Sequence, residues 1–329
     1  MRAVRMAAFG PPSTATIEDL PTPEPDEGEV RVAMRAAGVN YPDLLVMTGA
    51  YQHKPPLPFT PGKELAGEVE AVGPGVTRLA VGDRVMVQVE YGAFAEQVIA
   101  TEGQCFKIPD GMSFVDAAAM GLVYQTGWFA LFDRARMTEG DVVLVLGATG
   151  GVGLATIQIA KAMGAGSVLA GVSTMSKAQA ARDAGADHII DLSGENLRDS
   201  LRDQVMAVTD GYGADICIDP LGGDPFDAAM RALAWCGRMV VVGFAAGRIP
   251  VIKANYLLVK NIEVSGLQWS DYRDRTPERM IDAQAEIFRL YADGKLTPHV
   301  MDRIPLARVA DAMAVIEERR VTGKVVLEL

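Results

Sequence analysis

Along the first third of the chain, apolar and polar positions alternate in short runs. Val30-Arg31-Val32-Ala33-Met34, Gly67-Glu68-Val69-Glu70-Ala71-Val72-Gly73 and Asp83-Arg84-Val85-Met86-Val87 lie between Gly and Pro breaks. This pattern predicts short strands of a twisted antiparallel β domain, each burying one face. Near residue 113 the period changes. Ser113 followed by Asp116 resembles a capping box, and residues 114–135 carry mostly helix-compatible side chains.

From Gly140 to Gly266 strands and helices alternate. Val142 to Leu146 is continuously apolar, as expected of a parallel strand covered on both faces, and an amphipathic helix follows from Leu154 to Met163. The unit recurs as Ser167 to Val172 with Lys177 to Ala184, His188 to Ile190 with Asn196 to Val208, and Asp215 to Ile218 with Phe226 to Ala234. Met239 to Val242 and Ile262 to Ser265 supply two more strands. Six strands with helical crossovers predict a doubly wound α/β domain of the Rossmann type. Beyond it, Thr276-Pro277 opens a helix to about Ala292, Leu306 to Arg319 makes another, and Lys324 to Leu329 reads as a strand. This tail is expected to return to the first domain, which gives a discontinuous domain of residues 1–120 and 267–329 around a dinucleotide-binding domain of residues 121–266.

Between the first strand and first helix of the second domain lies Gly147-Ala148-Thr149-Gly150-Gly151-Val152-Gly153. Strand, glycine turn and helix in that order form the setting in which backbone N–H groups meet a dinucleotide pyrophosphate. Gly150 lets the backbone come close to the phosphates, and Gly153 lets the helix pack on the strand. Ala148 stands where the usual first glycine would be. The second strand ends in Gly171-Val172-Ser173-Thr174-Met175-Ser176-Lys177, with no acid to bind both ribose hydroxyls. Hydroxyls and Lys177 suit a 2′-phosphate instead, so NADPH is the expected cofactor.

Composition excludes some partners. The 329 residues include 31 Lys plus Arg against 42 Asp plus Glu, a formal charge of −11, with no basic stripe for a nucleic acid. The opening Met1 to Phe9 is too short an apolar stretch for a signal peptide before Pro11-Pro12. Nothing downstream approaches the ~18 unbroken apolar residues of a membrane span. Cys105, Cys217 and Cys236 are odd in number and lack CxxC spacing, which favours reduced thiols and a cytoplasmic setting over a disulfide framework.

The chain resembles the zinc-free quinone oxidoreductases, the zeta-crystallin group of the medium-chain dehydrogenase/reductase superfamily. The likeness covers nearly the whole length. It rests on Val39-Asn40-Tyr41-Pro42-Asp43, Gly49-Ala50-Tyr51, Leu57-Pro58-Phe59-Thr60-Pro61-Gly62-Lys63-Glu64, Val81-Gly82-Asp83-Arg84-Val85, and the Ala148 to Gly153 turn. Further on it rests on Asp219-Pro220-Leu221-Gly222-Gly223, Val242-Gly243-Phe244-Ala245 and Gly323-Lys324-Val325-Val326-Leu327. The resemblance implies a GroES-like fold for the β domain. Zinc members of the superfamily carry Cys where this chain has Asn40 and His where it has Lys63, and often add a four-cysteine lobe near residue 90. With His53, His188 and His299 scattered, no catalytic metal is expected. An acceptor that needs no metal must be electrophilic already, as a quinone or an activated C=C bond is, and the protein then holds the nicotinamide against it in a dry cleft.

By resemblance, Asn40 would bond near the nicotinamide ribose or the substrate carbonyl, although an Asn before Tyr41-Pro42 also suits a turn. Tyr51 would sit at the cleft mouth to stack on a quinone or donate a proton, against ordinary loop packing. Tyr41 and Tyr124 are weaker candidates, better explained as packing residues. Thr126 would approach the carboxamide, although a helix hydroxyl can also bond its own backbone. Thr149, Gly150, Gly151, Val152 and Gly153 would line the pyrophosphate. Ser173, Lys177 and Arg319 would serve the 2′-phosphate, and Gly243, Phe244 and Leu267 the nicotinamide pocket. Leu192 replaces a tyrosine that some relatives place beside the adenosine. A small-molecule acceptor and a homodimer through the Ile262 to Ser265 edge strand complete the expectation. NADPH-dependent reduction of enones or short enoyl-CoA thioesters is the alternative activity. A non-catalytic crystallin-like or RNA-binding protein is the alternative of another class.

Overall fold

The computed structural model describes every residue, Met1–Leu329. The chain forms two compact units: Met1–Leu122 with Arg273–Phe288 and Pro298–Leu329, and Val123–Tyr272 with Arg289–Thr297. The expected boundaries placed residues 267–272 and 289–297 in the first unit. They belong to the second, to which polar contacts tie them. Trp269 Nε1 donates to Gln125 Oε1 at 3.1 Å, Tyr272 donates to Asp133, and the Gln158 amide pairs with both backbone groups of Thr297 at 2.7 and 2.8 Å.

The first unit begins with the small hairpin β1 (Arg2–Arg5) and β2 (Thr16–Asp19), then β3 (Glu29–Val39), α1 (Tyr41–Met47), β4 (Glu64–Val72), β5 (Arg84–Gln88), β6 (Gln97–Thr101), β7 (Cys105–Lys107) and α2 (Phe114–Met120). Val30, Val32 and Met34 are buried on alternate positions of β3, as the sequence pattern requires. Register shifts at Arg31/Val32 and Met34/Ala36 then bend the strand, and Ala36 to Val39 are all buried. Ser113 Oγ accepts from Asp116 N at 3.0 Å and starts α2 as expected.

The anticipated long helical stretch is broken at Gly121 and continues as α3 (Leu122–Trp128), which ends in a π turn at Phe129–Arg134. The second unit then alternates β8 (Val142–Val145), α4 (Gly151–Ala162), β9 (Ser167–Val172), α5 (Ala178–Asp183), β10 (His188–Asp191), α6 (Leu197–Val208), β11 (Ala214–Asp219), α7 (Gly223–Ala232), β12 (Leu233–Val241), α8 (Ala254–Lys260) and β13 (Glu263–Gly266). All its strand pairs are parallel, in the order β10-β9-β8-β11-β12-β13. That is the doubly wound order, with β8 next to the point where the winding reverses.

The chain closes with α9 (Trp269–Arg275), α10 (Pro277–Ala292), β14 (Val300–Pro305), α11 (Val309–Glu317) and β15 (Lys324–Glu328). β15 pairs with β3 and joins the seven-stranded sheet of the first unit, so the tail returns there. No helix is long and apolar enough to cross a membrane.

Candidate functional site: a glycine turn and a buried polar cluster

In the second unit, β8 ends against two neighbours. Leu146 N donates to Ile218 O on β11 and Ala148 N to Gly171 O on β9, each at 3.0 Å. The turn is thus fastened on both sides before α4 begins. A Cβ at Gly153 would lie 2.4 Å from Gly147 O, so close helix–strand packing demands glycine there. Gly150 differs. Its φ of −81° suits any residue, and the nearest atom to an added Cβ is Gly147 O at 3.5 Å. What its missing side chain leaves is open room beside the first N–H groups of α4, a cradle that fits a pyrophosphate. Ala148 is wholly buried, so a methyl group at the first position of the pattern points into the core.

β9 ends at Val172, and Ser173 and Thr174 lead into a short 3₁₀ turn, Met175–Lys177, with Lys177 N bonded to Thr174 O at 2.9 Å. Partial burial lowers the Lys177 pKa. The acid at the end of the next strand, Asp191, accepts from the backbone and hydroxyl of Ser193 at 2.8 and 2.7 Å, and these bonds lower its pKa. Leu192 is buried against Gly171, which explains why an apolar residue occupies that position.

A further carboxylate organises the adjacent edge of the sheet. Asp219, fully buried at the end of β11, accepts from Leu221 N at 2.8 Å and Gly222 N at 3.0 Å. Burial pushes its pKa up to about 6 against these two backbone bonds. Its carbonyl takes Val242 N at 2.8 Å, and Ala245 N and Ala246 N bond to Pro220 O and Leu221 O. The Asp219 turn and the Gly243-Phe244 loop are therefore zipped together. Leu267 is buried and donates its N–H to Val241 O, and Thr126 is buried on α3. In the sequence, Asp219 is marked only as an acid ending the apolar run Ile216-Cys217-Ile218.

In the first unit the ends of three neighbouring strands meet. Asn40 follows β3, Glu64 starts β4 and Lys324 starts β15. Glu64 Oε1 accepts from Asn40 Nδ2 at 2.8 Å and Lys324 Nζ at 2.7 Å, and its Oε2 accepts from Leu122 N at 2.7 Å. Lys324 Nζ also donates to Asn40 Oδ1 at 2.7 Å. Because the lysine only donates and the carboxylate only accepts, the Asn40 amide has one possible orientation. Both of its N–H groups are occupied, the second by Gly38 O at 3.3 Å, which leaves only capacity to accept at Oδ1. Asn40 also precedes α1, where its backbone N–H donates to Asp43 Oδ2 at 2.8 Å. Asp43 is wholly buried. Desolvation raises its pKa to about 7 although Lys63, the Asn40 N–H and Lys324 pull it down.

Lys63 and Tyr51 come together beside this cluster, with Lys63 Nζ 4.6 Å from the Tyr51 ring centre. Tyr124 is buried and donates to Gln158 at 3.1 Å, a packing role as expected. Tyr41, the first residue of α1, is 38% exposed. Arg319 follows α11 in the left-handed conformation, with φ of 56°.

A parallel six-stranded sheet with a glycine turn at its winding reversal, joined to a largely antiparallel β unit, defines a two-domain dinucleotide-dependent dehydrogenase or reductase. Residues 151–286 match the zinc-binding dehydrogenase family, and residues 26–110 match the alcohol dehydrogenase GroES-like domain. A quinone oxidoreductase-like protein 2 homolog of Nematostella vectensis is 37% identical over 99% of this chain and 88% of its own length. A Pseudomonas aeruginosa quinone oxidoreductase is 35% identical over 99% of both chains. The crystal structure of Escherichia coli quinone oxidoreductase complexed with NADPH superposes with a TM-score of 0.91 at 29% identity, covering 100% of both chains. The chain belongs to the quinone oxidoreductase family of the medium-chain dehydrogenase/reductase superfamily.

Proposed function

We propose that this protein reduces quinones with NADPH, without a metal, and that the small acceptor is electrophilic from the start. The observation that carries the reading is Gly150: neither its backbone angles nor its packing needs glycine, yet its bare Cα leaves room over the start of α4 for a pyrophosphate. Thr149 and the backbone of Gly150, Gly151 and Val152 would take the pyrophosphate, with Gly153 keeping the helix close. Ser173 and Lys177, joined by Arg319, would take the 2′-phosphate. Thr126, Gly243, Phe244 and Leu267 would bound the nicotinamide, the loop at Gly243 being held by Asp219. NADPH supplies the hydride when bound. Asn40, its N–H groups already occupied, would meet a ribose hydroxyl as an acceptor at Oδ1 rather than donate to a carbonyl. Tyr51 would stack on the acceptor and give it a proton.

A homodimer through β13 and a cytoplasmic location belong to the same proposal. β13 is the last strand of its sheet, and Trp235, Ile249, Val251, Leu258 and Val259, on β12, α8 and the connection between them, are at least 67% exposed. The three cysteines are free.

The test is NADPH oxidation against ortho-quinones, para-quinones, alkenals and enoyl-CoA thioesters, with NADH as control. Turnover with quinones is expected. Turnover with enoyl-CoA alone would replace the reading with ene reduction. RNA binding weakened by salt, with no turnover of any acceptor, would replace catalysis altogether.

A further inference from the structure

Lys63 is an almost wholly buried cation, its side chain 3% exposed. Its ammonium has two partners on Glu90, the carboxylate at 2.5 Å and the backbone carbonyl at 3.0 Å. The other carboxylate oxygen of Glu90 holds Arg273 at 2.9 Å, whose side chain is 8% exposed. Two buried cations therefore share one carboxylate. Nearby acids do not fully cancel the excess: Asp274, which also meets Arg273, is 68% exposed, and burial favours the neutral form of Asp43 beside Lys63. His53 is stacked on Tyr91 in the adjoining loops. The one aromatic face turned to this excess positive charge is that of Tyr51, 4.6 Å from Lys63 Nζ. A cation over a ring face is attracted to the π electrons and stabilises negative charge spread over the ring.

We propose that Lys63 is a positioning residue that acts through Tyr51, its ammonium holding the ring in place and stabilising the phenolate left when Tyr51 gives its proton to the reduced acceptor. The proposal rests on the quinone reductase reading and adds a residue to it. A quinone that takes up a hydride becomes a hydroquinone monoanion, with the charge on oxygen. The Tyr51 O–H bond breaks, a new O–H bond forms on that oxygen, and hydroquinone leaves. The phenolate then recovers a proton from solvent. Nothing else is oxidised or reduced. Lys63 stays bonded to Glu90 and takes no part in the proton transfer itself.

The test reads Tyr51 directly. Tyrosinate absorbance is followed against pH in the full-length protein and in Tyr51→Phe, and the difference isolates this one phenol. Lys63→Met should move the Tyr51 midpoint up by about one pH unit, Lys63→Arg should leave it near the parent value, and Glu90→Gln should move it down. In turnover, Lys63→Met should lower kcat about tenfold with the acceptor KM little changed, and should cost nothing further in a Tyr51→Phe background. An unmoved midpoint in both Lys63→Met and Glu90→Gln would overturn the proposal. So would a Lys63→Met loss that persists at full size in Tyr51→Phe. If Lys63→Met fails to fold, the Glu90→Gln shift decides alone. Failure of every acceptor with the predicted midpoint shifts intact would instead refute the reductase reading and leave the Lys63–Tyr51 coupling standing.

Discussion

Lys324 Nζ lies 2.7 Å from Glu64 Oε1, although β3 runs between the strands that carry them. The pair reaches across the end of that strand and encloses Asn40, which follows it. Both side chains are almost wholly buried, 4% and 0% exposed, so each charge depends on the other for its solvation. Removing one partner strands the other. Lys324→Met should destabilise the first unit by about 3–5 kcal/mol in urea unfolding, whereas Glu64→Met with Lys324→Met should cost clearly less than the two single changes together. Strict additivity would mean that the pair is not coupled.

Asp43 gives the fold a pH dependence of unusual sign. Its pKa rises from 3.8 in the open chain to about 7 in the fold, chiefly through burial. A raised folded pKa means that the native state binds the extra proton, so this group's contribution is fully present below about pH 4 and is lost as pH climbs through 7. The difference amounts to roughly 4 kcal/mol at one pKa unit per 1.36 kcal/mol. Asp43→Asn cannot ionise. Its stability relative to the parent should therefore improve steadily from pH 4 to pH 8 in parallel urea titrations, and a constant difference over that range would rule out a raised Asp43 pKa.

The contrast between the two units explains what could be read from the sequence. In the doubly wound unit each signal is local. Val142 to Val145 is apolar because β8 is covered on both faces, and the glycine turn proposed for the pyrophosphate follows within a few residues. The cluster around Glu64 has no such locality: Lys324 is 260 residues away, and Arg273 is 183 residues from the Glu90 that binds it. Lys63 was visible only as the residue standing where zinc relatives carry histidine, and its seat over Tyr51 has no sequence signature. The short helices α1, α8 and α9, seven residues each, were also missed. Helices that short are set by packing more than by their own periodicity.

Two glycines in one turn should separate fold from ligand. Gly153→Ala places a Cβ 2.4 Å from Gly147 O and should cost about 1–3 kcal/mol of stability as well as cofactor binding. Gly150→Ala meets nothing closer than 3.5 Å and has a permissive φ, so its melting temperature should stay near that of the parent. Its NADPH affinity, read by fluorescence titration, should still fall about tenfold, because the new methyl group would occupy the room proposed for the phosphates. Parent-like NADPH binding by Gly150→Ala would remove the main support for a pyrophosphate at this turn.

Lys177 should decide which dinucleotide is used. It closes the 3₁₀ turn after β9, and the acid on the neighbouring strand, Asp191, is committed to Ser193. A ribose bearing two free hydroxyls would find no carboxylate in Ser173 to Lys177, whereas a 2′-phosphate would find hydroxyls and an ammonium. Burial lowers the Lys177 pKa, a direction that a bound phosphate would reverse by favouring the charged form. Lys177→Ala should raise the KM for NADPH about tenfold, leave the KM for NADH within twofold, and change kcat little, since the 2′-phosphate is remote from the reacting carbon. The NADPH effect should also shrink at high ionic strength, where the pair is screened in the parent as well. Equal losses with both cofactors would assign Lys177 to the turn itself and leave the 2′-phosphate to other residues, with Arg319 the first to be replaced next.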